Sequence, residues 1–114
     1  MPQERHMIDL ISSKLDQLAA LCREYRIRRL DLLGSAATGE FNPETSDIDV
    51  IVDLGEYELG VTRRFMGFAD ALEALFGRDV GVLTESMIQN PYFRHAVEEQ
   101  RVDLYEARDR QEAA

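Results

Sequence analysis

A chain of 114 residues, 45% apolar and 31% charged, is long enough to bury one core and too short for a separate substrate domain. That balance excludes disordered and collagen-like chains; no apolar run approaches the roughly 20 residues of a bilayer span, and the polar start MPQERH is not a secretory signal. Thirteen basic against twenty-two acidic side chains give a net charge of −9, which repels a polynucleotide backbone and favours a small ligand or a protein partner.

In chain order, Ile8, Ile11, Leu15, Leu18, Cys22 and Tyr25 recur at helical spacing and predict a first amphipathic helix. Cys22, the single cysteine, excludes an internal disulfide framework and fits a reducing cytoplasm. It reads as a small buried residue, with a reactive thiol as the alternative. Arg23, Arg26, Arg28 and Arg29 close the helix, either as a solvated end favoured by the helix dipole or as a contact for a phosphate or an acidic partner.

Arg29 to Leu33 reads as strand one, ended by Gly34. Ser35-Ala36-Ala37-Thr38 is expected to form a short helical turn that Gly39 stops. Asn42-Pro43 is a turn signal. Strand two is Asp47 to Asp53, with Ile48, Val50 and Val52 on one face and Asp47, Asp49, Ile51 and Asp53 on the other. A loop over residues 54–60 precedes a second helix, with Thr62 as its expected N-cap and Phe65, Phe68, Leu72, Leu75 and Phe76 as its buried stripe. Gly77 ends that helix, and Asp79 to Leu83 reads as strand three. Asn90-Pro91 signals an N-cap and first helical residue for a helix to about Gln100, followed by the apolar piece Val102 to Tyr105 and a polar tail. The order α-β-β-α-β-α-(β) implies a small α/β or α+β domain over residues 1–114, its core at about 7–106, with helices packed on a sheet.

Chemistry concentrates in LDLLGSAATGEFNPETSDIDVIVD, residues 30–53. Asp47 and Asp49, two apart on a strand, share a face about 6.6 Å apart along the chain, close enough for both to hold hard cations. The Gly34-Ser35 turn frees backbone N–H groups where a phosphate can sit. A phosphate cradle facing a carboxylate pair points to metal-assisted chemistry on a nucleotide.

GSAATGEFNPETSDID resembles the signature of the minimal nucleotidyltransferases of the DNA polymerase β superfamily, the family of the MNT-type antitoxins. A Gly-Ser pair is followed there by Asp-x-Asp, and the flanks IRRLDLLGSA, LFGR and HAVEEQRVDLY fit as well. The resemblance spans roughly residues 7–106 and implies the polymerase-β-type fold, a mixed sheet with helices packed on it. It further implies two-metal nucleotidyl transfer. Gly34 would permit close backbone approach, Ser35 would bond the β- or γ-phosphate of a nucleoside triphosphate, and Asp47 and Asp49 would ligate Mg²⁺. In the toxin–antitoxin members, the implied reaction places AMP from ATP on a tyrosine hydroxyl of a HEPN-type toxin in the cytoplasm.

One position departs from the family pattern. Aligning GRDVGVLT on the next strand puts Gly81 where a third carboxylate belongs, so nucleotide binding is expected to survive more readily than turnover. Asp79 is the available substitute if a strand bulge brings it into the site; otherwise it is a strand-entry surface residue. Arg94 and Arg101 are open to phosphate contact without any spacing that requires it, and His6 and His95 carry no such signal. The alternative to an active transferase is a binding module of the same fold that neutralises its partner by contact.

Overall fold

The computed structural model describes residues 9–34 and 47–107. Helices α1 (Asp9–Ser12) and α2 (Leu15–Glu24) lead into strand β1 (Arg29–Leu33). After β2 (Ile48–Asp53) come α3 (Val61–Phe76), β3 (Val80–Thr84), a 3₁₀ turn (Glu85–Met87), α4 (Pro91–Gln100) and β4 (Val102–Glu106). Ile8, the loop 35–46 with its expected short helical turn, and the tail beyond 107 lie outside the described residues.

The expected single first helix is broken. Lys14 N–H donates to the Ile11 carbonyl at 3.0 Å, a 3₁₀-type step between α1 and α2. Ser12 and Ser13 precede it, residues whose hydroxyls compete for backbone groups and weaken a helix interior. The stripe survives the break, with Ile11, Leu18 and Cys22 buried. Burial pushes the Cys22 thiol up to about 12, which fits the inert reading. Helix α2 ends with Arg26 at φ 58, a left-handed position that usually goes to glycine. Arg64 of α3 supports it by donating to the Tyr25 and Arg26 carbonyls at 3.1 and 3.2 Å. Helix α3 also starts differently from expectation: Gly60 at φ 89 is the N-cap and Thr62 lies inside the helix.

The four strands form one mixed sheet in the order β3-β2-β1-β4. β1 lies antiparallel to both β2 and β4, and β2 runs parallel to β3 across the α3 crossover. Alternation gives the sheet two distinct faces. Leu30, Leu32, Ile48, Val50 and Val52 meet Leu18, Cys22, Phe68 and Leu72 in the main core beneath α2 and α3. Each such side chain contributes about 1.5–3 kcal/mol on burial. The opposite face carries a smaller cluster of Leu33, Ile51, Ile88 and Val97, which seats α4. Asn90 caps that helix as expected, its Oδ1 accepting from the Tyr92 and Phe93 N–H groups at 2.8 and 3.2 Å.

Arginine fixes the position of α4. Asp31, wholly buried in the middle of β1, accepts from Arg101 Nε at 2.6 Å. The same guanidinium donates to Glu85 at 2.6 Å and Glu98 at 2.8 Å, tying the end of α4 to the central strand and to the 3₁₀ turn. Burial raises the Asp31 carboxyl while Arg101 pulls it back. Glu85 is held below the ordinary glutamate range by its Arg101 bond, so this contact stabilises the fold above that range and is lost as pH falls through the lowered value. Arg101→Met is expected to cost up to about 3–5 kcal/mol, because it leaves the buried Asp31 with only the longer 3.2 Å contact from the half-exposed Arg29. Urea denaturation should also show that adding Asp31→Leu recovers part of the loss; equal destabilisation in the single and double variants would contradict the pairing.

Candidate active site

The apolar alternation of β1 and β2 decides which side chains reach the α4 face. In β1 that face carries Arg29, Asp31 and Leu33; in β2 it carries Asp49, Ile51 and Asp53. The antiparallel register sets Leu33 opposite Asp49, and the parallel register sets Asp49 opposite Gly81. Asp49 is therefore flanked on both sides, with Gly34 following Leu33 at the turn. A Cβ on Gly34, which has φ 71, would stand 3.2 Å from Asp49 Oδ2; a Cβ on Gly81 would stand 2.6 Å from Oδ1. The carboxylate occupies a slot that two glycines leave open.

Asp47 is exposed at the mouth of β2, while Asp49 is partly buried. Desolvation raises the Asp49 pKa, and the Asp47 charge adds to the shift. No described residue donates a hydrogen bond to Asp49. A half-buried carboxylate beside a second one, with no donor among the described residues, is a place where a cation is favourable. Mg²⁺ is commonly held by one or two carboxylates plus substrate phosphates, so the pair fits one such ion. A three-residue set is not present: among the described residues, no group of three His, Cys, Asp or Glu is placed to hold a metal.

The other residues singled out by sequence divide clearly. Ser35 lies outside the described residues. Gly81 takes the position opposite Asp49 that the alignment gives to a third carboxylate. β3 pairs with β2 from Val80 to Thr84 without a register shift, so the bulge that would carry Asp79 inward is absent, and Asp79 stays exposed just before the strand. Arg101 and Arg94 are taken up by carboxylates and carbonyls: Arg94 donates to Glu85 and to the Glu85 and Ile88 carbonyls. His95 is an exposed partner of Glu99 at 3.1 Å.

Sequence reasoning did not find the wall beside the pair. A cavity of about 280 Å³ opens next to Asp49 and Gly34. Leu33 and Leu83 of the sheet and Phe93, Ala96, Val97 and Gln100 of α4 line it. Phe93 at the first turn of a capped helix was the available signal, since the Asn90 cap fixes which way that turn faces.

The nucleotidyltransferase domain family matches residues 15–104. A Methanocaldococcus jannaschii protein provisionally named a protein adenylyltransferase is 33% identical over 76 residues, 67% of this chain and 75% of that protein. A solved structure provisionally named a minimal nucleotidyltransferase superposes with a TM-score of 0.68 at 27% identity, over 83% of this chain and 95% of that one. A chain from the complex of a tri-AMPylated Shewanella oneidensis HEPN toxin with MNT antitoxin shares the fold, with a TM-score of 0.56 at 17% identity over 90% and 77% of the two chains. The fold and the site thus define a nucleotidyltransferase of the polymerase-β type, and the chain belongs to the nucleotidyltransferase domain family.

The raised Asp49 pKa has a sign that can be tested. The folded state takes up a proton at Asp49 more readily than the unfolded chain does, so the ionised group opposes folding above the raised value and the penalty fades as pH falls. Asp49→Asn in EDTA is expected to raise the melting temperature at pH 7 and to give little gain near pH 4. A melting temperature lowered at pH 7 would show that a donor already satisfies the carboxylate.

Proposed function

We propose that this protein transfers AMP from ATP to a hydroxyl group on a partner protein, and that it acts as the antitoxin of a HEPN-type toxin in the cytoplasm. The observation that carries the reading is the Asp49 carboxylate held between Gly34 and Gly81, close enough to Asp47 for that charge to act on it. The adenylyltransferase name of the Methanocaldococcus relative and the AMPylated toxin in the Shewanella complex support the choice of AMP and of a protein acceptor.

Asp47 and Asp49 would hold Mg²⁺, which when bound offsets the charge of the departing pyrophosphate. Gly34, without a side chain, lets the phosphates approach the turn, and Ser35 would bond them there. The acceptor oxygen forms its bond to the α-phosphorus as the bond to the pyrophosphate oxygen breaks. Asp49, partly buried beside apolar Leu33 and Leu83, is less screened by water than the exposed Asp47. Gly81 offers no side chain to receive the hydroxyl proton, and this favours nucleotide binding that outlasts efficient turnover.

Isothermal titration of ATP tests the site. Binding is expected with Mg²⁺, is expected to vanish with EDTA, and should weaken about tenfold or more in Asp47→Asn, the loss of one charged ligand. Unchanged affinity in that variant would overturn the assignment. Gly81→Asp should raise the rate of label transfer from [α-³²P]ATP to a co-encoded HEPN protein, provided Asp49 swings off the 2.6 Å approach to the new Cβ. Loss of ATP binding in Gly81→Asp would mean that the slot must stay empty for Asp49 to work.

A further inference from the structure

The cavity beside Asp49 has a composition that phosphate and ribose do not call for. Its walls Leu33, Leu83, Phe93 and Val97 are apolar, Asp49 is the ionisable member among the described residues, and Gln100 supplies an amide. At about 280 Å³ it falls just below the roughly 300–1,000 Å³ of pockets that take a whole drug-sized ligand. It suits one planar ring system, with the charged remainder of the ligand outside it.

Two features of α4 set what kind of ring fits. Phe93 lines the cavity yet stays 46% exposed, which leaves an aromatic face open for stacking. Gln100 is exposed, and no described residue takes its amide. A carboxamide offers one acceptor and one donor side by side, the complement of the N6–H and N7 edge of adenine. Guanine presents two acceptors, O6 and N7, on the same edge, so the amide oxygen would face an oxygen.

We infer that this cavity is the base subsite of the nucleotide donor, with Phe93 stacking on the ring and Gln100 selecting adenine over guanine. The inference rests on the ATP reading above and adds what reads the base. It also gives the Arg101 clamp a second consequence, because both residues are carried on the helix that Arg101 holds in place.

The test is titration of ATP, GTP and inorganic triphosphate, each with Mg²⁺, into the full chain and into Phe93→Ala and Gln100→Ala. Both side chains are exposed, and circular dichroism checks that the variants keep the fold. The wild type is expected to bind ATP roughly tenfold tighter than GTP, and Gln100→Ala should bring that ratio close to one. Phe93→Ala should weaken ATP and GTP alike by about tenfold while leaving inorganic triphosphate unchanged. If ATP binds the wild type and both variants keep its affinity and its base ratio, the inference is overturned and the cavity belongs to the acceptor's side chain. If neither ATP nor inorganic triphosphate binds the wild type, the nucleotide reading itself falls, and the base subsite with it.

Discussion

A carboxylate buried in the centre of the sheet is the constraint around which the α4 face is arranged. Asp31 has no exposed surface, and a charge so placed is tolerated only with a cation in contact. Arg29 at 3.2 Å and Arg101 at 2.6 Å supply it, and the geometry of its guanidinium lets Arg101 serve Glu85 and Glu98 at the same time. One side chain thus joins the middle strand, the connection after β3 and the last helix. The apolar cluster of Leu33, Ile51, Ile88 and Val97 is small, and the ionic clamp supplements it in holding the helix that walls the cavity.

The site uses the opposite device, space without a side chain. Gly34 and Gly81 stand on either side of Asp49, and each leaves room that its carboxylate fills. The two glycines differ in kind. Gly34 is needed for its backbone, since φ 71 at the end of a strand is costly for most residues. Gly81 lies in a regular strand where a side chain is allowed, so only its volume is at issue. The consequence for chemistry is a carboxylate pair that fits one hard cation, where three carboxylates would hold two more firmly.

Much of this was legible in the sequence, for a physical reason. Strand alternation is local, so DIDVIVD reports which residues share a face before any partner strand is known. Gly81 was reached by another route, the alignment of GRDVGVLT on the family's next strand, and the parallel register sets it opposite Asp49. The break between α1 and α2, the Gly60 cap and the Arg101 clamp were not found. The first two turn on differences of about 1 kcal/mol between neighbouring turn conformations. The third joins residues far apart in sequence, although Asp31 among the leucines of LDLL was a sign that cations had to reach it. Of the two readings open for Asp79, the strand-entry surface residue fits, because β3 carries no irregularity to move it inward.

The separation of that ion pair bears on how the protein is made. Arg101 follows Asp31 by 70 residues, and β4 follows Arg101 directly. During synthesis the amino-terminal helices, β1, β2, α3 and β3 leave the ribosome first, with Asp31 within reach of Arg29 on its own strand but still lacking Arg101. The clamp on the central strand is completed when α4, Arg101 and β4 arrive. The order of emergence therefore makes the arrival of Arg101 a condition for fixing the reactive face, and a nascent chain stalled before Arg101 carries the carboxylate pair and the wall helix without the clamp that holds them together.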